Sequence, residues 1–155
     1  MRTGRQPIPF PVDVSRETWR RLETYVELLL KWQQRINLIG PATAEDVWTR
    51  HVADGLQLLP LVQSSVRTAV DLGSGGGIPG LVLAIALMDR QPATVHLVES
   101  IGKKAAFLRH AIQATEAPAV VHNCRIESLP ALVFAFVGAY GWTLVRRRLA
   151  STRAS

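Results

Sequence analysis

Cysteine is nearly missing from this chain. Cys124 is the only one in 155 residues, so no internal disulfide can form and a disulfide-stapled fold is excluded. No apolar stretch of signal-peptide length occurs between residues 1 and 13, which argues against secretion and for a reducing, cytoplasmic setting. Charged residues are sparse at 19%, whereas hydrophobic residues reach 48%. That balance excludes a disordered chain and fits one domain with a real core. The four histidines and single cysteine stand at scattered spacings that give no metal site. There is no internal repeat, no low-complexity linker and no nucleophile–histidine–acid arrangement.

Basic residues exceed acidic ones by 18 to 12, but the excess is uneven. Residues 1–60 carry eight Lys/Arg against seven Asp/Glu, residues 61–124 five against four, and residues 125–155 five against one. The basicity therefore describes mainly a tail containing Arg146, Arg147, Arg148 and Arg153. As a pointer to nucleic acid it is weak.

Pro7, Pro9 and Pro11 keep the start extended. After Ser15, a natural N-cap, Trp19, Leu22, Val26, Leu29 and Leu30 recur at steps of three and four, widened by Tyr25, Trp32 and Ile36. Arg20, Arg21, Glu23, Glu27, Lys31 and Arg35 fall mostly on the opposite side. The pattern predicts an amphipathic helix ending near Gly40 and Pro41. A second helix is predicted from Thr43, with Asp46 as an acidic capping-box partner, through Val47, Trp48, His51, Leu56 and Leu59 to Pro60. Residues 1–66 thus read as an N-terminal helical cap. Trp32 and Trp48 lie in the apolar stripes, which favours core packing over stacking on a base.

From residue 68 the pattern changes. Strands are predicted over 68–72, 94–98 and 119–122, with helices over 81–88 and 103–115 between them. Strand, glycine turn, helix, strand, helix, strand is a doubly wound α/β unit with parallel strands. It occupies residues 67–127, within the same domain as the cap.

The richest segment is Val70-Asp71-Leu72-Gly73-Ser74-Gly75-Gly76-Gly77-Ile78-Pro79-Gly80. A turn leaving a buried strand must bend sharply and let a ligand approach the main chain, and glycine permits both. The following helix is expected to aim its free amides and positive dipole end at that ligand. Twenty-six positions after Gly73, Glu99 ends the second strand, where an acid can accept hydrogen bonds from ribose hydroxyls. A nucleoside ligand is the natural inference.

Gly75, Gly77 and Gly80 match the dinucleotide pattern G-x-G-x-x-G, but five clustered glycines satisfy many spacings. No Lys-Ser/Thr follows them, which excludes a P-loop. Asp71, at the strand end, suits an ammonium or sulfonium better than a pyrophosphate it would repel. S-adenosylmethionine fits these charges best. A non-catalytic module binding NAD or an adenosine-type ligand is the alternative.

Five blocks in order carry a resemblance. They are Leu30-Lys31-Trp32-Gln33-Gln34-Arg35-Ile36-Asn37-Leu38, Arg50-His51-Val52-Ala53-Asp54-Gly55, the turn from Asp71 to Gly80, Val98-Glu99-Ser100 with Lys103-Lys104, and Arg125-Ile126-Glu127. Over residues 16–127 the chain resembles the ribosomal RNA small-subunit methyltransferase G family, also called the glucose-inhibited division protein B family. The resemblance implies a class I methyltransferase (Rossmann-like) fold and methyl transfer from S-adenosylmethionine to N7 of a guanine in 16S rRNA. By that likeness Gly73 and Ile78 line the methionine and ribose side, Glu99 takes the ribose hydroxyls, and Ile126 and Glu127 meet the adenine.

Guanine N7 already exposes a lone pair, so the transfer requires alignment and no general base. His51, three positions before Asp54, and Lys103 and Lys104, after Glu99, are candidates for contact with RNA. The implied partner is 16S rRNA or the small ribosomal particle, with the protein expected to act as a monomer.

Beyond Glu127 the reading departs from the family. Residues 128–145 are uncharged and mostly apolar, and the 18-residue run before Arg146 meets the lower limit for a membrane span. Pro130, Gly138 and Gly141 interrupt it and favour a fourth strand over 132–137, so no membrane is expected. Residues 128–155 read as an atypical tail in which the family's later strands are missing or altered, as a shifted reading frame after about Pro130 would produce. With no regular fourth strand, the strand bearing Asp71 is expected at a sheet edge, with weakened cofactor binding and impaired methyl transfer.

Overall fold

The computed structural model describes residues 12–129. Helix α1 (Arg16–Gln33) starts where Ser15 accepts a hydrogen bond from the Thr18 amide at 3.0 Å. The same Ser15 donates its own amide and hydroxyl to Asp89 at 2.8 and 2.7 Å. The cap that begins α1 therefore also fastens it to the turn after the central helix. Trp19, Leu22, Tyr25, Val26 and Leu29 are buried along one stripe, as the periodicity predicts. Each such side chain removed from water contributes roughly 1.5–3 kcal/mol.

The helix stops earlier than expected, at Gln33 rather than near Gly40. The Gln33 amide explains the stop: its oxygen accepts from the amides of Leu38 and Ile39 at 2.8 and 2.9 Å, while its nitrogen donates to the Ile39 carbonyl at 2.8 Å. One side chain thereby folds the chain back and buries Leu38 and Ile39.

The predicted second helix is broken into pieces. A 3-10 turn (Pro41–Thr43) is followed by a π-helical turn (Trp48–Val52), α2 (Ala53–Leu56) and a second 3-10 turn (Leu59–Leu61). Thr43 does not cap a helix, because its hydroxyl bonds the Gly40 carbonyl and His51 Nε2 instead. The buried residues follow the local pitch. The step from Val47 to Val52 is five, from Val52 to Leu56 four, and from Leu56 to Leu59 three. Widening and then tightening the turn keeps all four in the core, which a regular α-helix could not do.

Strands β1 (Thr68–Leu72), β2 (Thr94–Val98) and β3 (Ala119–His122) pair in parallel in the order β1-β2-β3. This is the parallel α/β arrangement expected, consistent with a class I methyltransferase fold. Helix α3 (Gly80–Leu87) joins the first two strands and is buried at every position. A helix apolar on all sides belongs in the centre of a domain. Helix α4 (Gly102–Thr115) joins the next two. Helices α3 and α4 touch one another, with α1 packed on both, so these helices share one face of the sheet. Within the described residues β1 pairs only with β2.

The aromatic rings belong to this packing. Trp19 stacks on Trp48 at 4.8 Å, and Trp32 meets the ring of Phe107 edge-on at 5.7 Å. No helix among the described residues is long and apolar enough to cross a membrane. The fourth strand expected over 132–137, and the apolar run after Leu129, fall outside the described residues.

Candidate functional site

The site forms where β1 and β2 end. The amides of Gly73 and Ser74 both donate to the Val98 carbonyl at 2.9 Å, binding the start of the glycine turn to the neighbouring strand. Ser74, fully buried, donates its hydroxyl to the Asp71 carbonyl at 3.0 Å. From α1, the buried Tyr25 hydroxyl donates to the Gly76 carbonyl at 2.6 Å. Burial, reinforced by the negative charge of Asp71, holds that phenol well above its ordinary pKa. It stays a neutral donor, and the turn is fixed from both sides.

Gly73 and Gly75 have φ of +75° and +55°, conformations that cost L-residues strain. A Cβ built on either meets nothing within 4 Å. These two positions therefore present bare backbone to open space, the condition for a ligand to lie against the main chain. Gly80 is different. A Cβ there would stand 2.6 Å from Asp71 Oδ2 and 2.6 Å from a Leu97 methyl, so glycine is needed for α3 to approach the sheet.

Glu99 is buried and bridges the turn to the next loop. Its Oε2 accepts from the Gly75 amide at 2.7 Å and its Oε1 from the Ile101 amide at 2.8 Å. Each carboxylate oxygen can accept a second bond, so holding the turn does not exhaust the group. Asn123 supports the same corner, donating to the carbonyls of Glu99 and Ser100 at 2.9 and 3.2 Å.

The expectation that α3 aims free amides at a ligand needs correction. The Gly80 amide donates to Asp71 Oδ2 at 3.2 Å. The Leu81 and Val82 amides donate to the Gly77 carbonyl at 2.8 and 3.4 Å. The first-turn donors are spent on the protein itself, and an acidic side chain sits at the positive end of the helix. A phosphate would meet a carboxylate there instead of free donors.

Two cavities meet at Gly73. The larger, about 640 Å³, is lined by Asp71, Gly73, Gly75, Ile78 and Glu99 from the sheet side, and by His51 and Lys104. The smaller, about 330 Å³, is lined by Ile126 and Glu127 together with Cys124 and Arg125. All seven residues expected to face a cofactor therefore line one cavity or the other. Of the three expected RNA contacts, His51 and Lys104 line the larger cavity, whereas Lys103 is exposed outside it.

His51 is half-buried. Its Nε2 lies 2.7 Å from the Thr43 hydroxyl, and burial lowers its pKa, with Arg50 adding to the shift and Asp54 opposing it. Arg50 and Asp54 also line the larger cavity. Sequence reading quoted both within a motif without giving Arg50 a role. Tyr25 fits the apolar stripe of α1, and nothing in the sequence signals the bond its hydroxyl makes.

Comparison with known proteins follows the same residues. The family profile for rRNA small subunit methyltransferase G matches residues 18–137. That match extends past Glu127, where the resemblance read from the sequence stopped. A Ribosomal RNA small subunit methyltransferase G from Bradyrhizobium sp. (strain BTAi1) is 60% identical over 116 residues, covering 75% of this chain and 52% of the relative. Its counterpart in Paramagnetospirillum magneticum is 53% identical over 119 residues, covering 77% and 56%. That in Methylobacterium radiotolerans is 53% identical over 130 residues, covering 84% and 57%. The chain thus spans about half the length of these curated relatives.

Proposed function

The chain belongs to the rRNA small subunit methyltransferase G family, and from that premise we propose that its cleft holds S-adenosylmethionine for methyl transfer to N7 of a guanine in 16S rRNA. The observation that carries the proposal is the pairing of open backbone at Gly73 and Gly75 with the two carboxylates, Asp71 and Glu99, on the same cavity wall. Bare backbone lets a flat nucleoside lie close, and the carboxylates complement an ammonium and a pair of ribose hydroxyls. When bound, S-adenosylmethionine supplies an activated methyl group on a sulfonium.

The protein's task is then alignment. Gly73 and Ile78 bound the methionine and ribose side, and Asp71 attracts the ammonium. Glu99 accepts from the ribose hydroxyls with the acceptor capacity that the Gly75 and Ile101 amides leave. Ile126 and Glu127, in the smaller cavity, take the adenine. No residue has to remove a proton, because the guanine N7 attacks with a lone pair it already exposes. His51 and Lys104 at the larger cavity, with Lys103 beyond it, face the RNA, and Lys103 and Lys104 act through phosphate charge. The substrate is 16S rRNA, free or in the small ribosomal particle, and the protein works as a cytoplasmic monomer.

The dinucleotide alternative is disfavoured by a specific feature. A pyrophosphate at this turn would find the amides of Gly80, Leu81 and Val82 already bonded, and Asp71 against it. Calorimetric titration of the 155-residue chain separates the two. S-adenosylmethionine and S-adenosylhomocysteine are expected to bind one per chain, with NAD at least tenfold weaker. NAD binding as tightly as either would overturn the proposal.

A further inference from the structure

The scattered histidine spacings that gave no metal site in the sequence conceal one close pair. His96 on β2 and His122 on β3 stand diagonally across two parallel strands, since His96 is level with Val120 and Val98 with His122. The neighbours of His96, Val95 and Leu97, are buried. Side chains alternate along a strand, and Leu97 closes against Gly80 of α3, so His96 projects from the face opposite that helix. Both rings are half-buried. His96 Nδ1 lies 2.8 Å from His122 Nε2, and the ring centroids are 5.1 Å apart with 24° between the planes, so the rings meet edge to edge, nitrogen to nitrogen. Neither ring lines either cavity at the glycine turn.

We propose that His96 and His122 form a chelating site for a divalent transition metal of the copper(II) and nickel(II) class. The distance is the first reason. Two imidazole nitrogens bound at about 2.0–2.1 Å, at right angles on one metal, stand roughly 3 Å apart. The pair is within a few tenths of an ångström of that separation before any metal arrives.

The coordination number is the second reason. Among the described residues no third His, Cys, Asp or Glu joins the pair, so water completes the sphere. A site of two nitrogens and several waters suits the tetragonal preference of copper(II) and nickel(II), and lacks the four protein ligands of a structural zinc site. The proton chemistry agrees. Two imidazoles this close share one N–H between them. Binding breaks that hydrogen bond, moves the shared proton to the donor ring's other nitrogen, and turns each ring roughly 45° off the N···N line so that both lone pairs converge on the metal.

The test is a titration of the tag-free 155-residue chain with nickel(II) at neutral pH. One ion per chain is expected. Because chelation needs both rings, His96→Gln and His122→Gln should each weaken binding at least tenfold and the double variant little further. His110→Gln, on α4, should leave it unchanged. A second readout needs no variant: substoichiometric copper(II) should broaden the ring signals of His96 and His122 in the NMR spectrum before those of His51 and His110. Absence of saturable binding, unchanged affinity in the glutamine variants, or broadening centred on another histidine would each overturn the site.

Discussion

At Gly80 one absent methyl group decides whether the strand bearing Asp71 and the central helix can sit together. A Cβ there would fall 2.6 Å from both Asp71 Oδ2 and Leu97, and neither backbone can retreat cheaply inside a buried layer. Gly80→Ala should destabilise the fold by about 1–3 kcal/mol, the usual range for overpacking, measured as a lower urea midpoint. An unchanged midpoint would show that the layer yields.

His51 makes a second case at the same scale. Its folded pKa lies below the ordinary 6.5, so between the two values the unfolded chain binds the proton and the folded chain does not. Stability should then rise with pH across that window and be lost as pH falls from about 6.5 through the folded value. His96 is lowered in the same direction and adds to the slope. His51→Gln should flatten the dependence of the urea midpoint between pH 5 and 7, and an unaltered slope would contradict this. The sequence exposed these residues unequally. The turn and acid that line the larger cavity were legible because a glycine run after a strand and an acid at the next strand's end have their own local grammar. Ile126 and Glu127, by contrast, were reached only through the family resemblance. The Tyr25 hydroxyl was not, since its partner Gly76 is 51 positions away and its ring fits the apolar stripe.

Among the elements, the three strands and the helices α3 and α4 were readable to within a residue or two, because the strands and α3 are short apolar runs between turn signals and α4 carries apolar residues at helical spacing. The cap was not. A continuous helix over residues 43–60 satisfied the periodicity, yet the chain uses π, α and 3-10 turns in succession to keep Val47, Val52, Leu56 and Leu59 inside. Tertiary packing overrode local pitch there. The end of α1 was likewise set by a side chain. Gln33 makes three hydrogen bonds to the main chain of Leu38 and Ile39, and both of those residues line the larger cavity. Gln33→Ala should cost about 1–3 kcal/mol through the backbone groups it orphans. It should also speed hydrogen exchange at the Leu38 and Ile39 amides, read by mass spectrometry on peptides covering 34–40. Exchange unchanged there would mean the fold-back is held by burial alone.

Across the whole molecule, cap and sheet share one core. Residues of α1, α2, α3 and α4 join those of β2 in a single buried cluster, and the contacts that hold the cleft open come from both parts: Tyr25 from the cap, Glu99 from the sheet. The family follows from the ordered blocks and the matched profile. The most direct measurement is a crystal structure of the chain with S-adenosylhomocysteine. Ribose hydroxyls within hydrogen-bonding distance of Glu99, with the adenine against Ile126 and Glu127, are the predicted result. A cleft left empty by that compound but filled by NAD would contradict it.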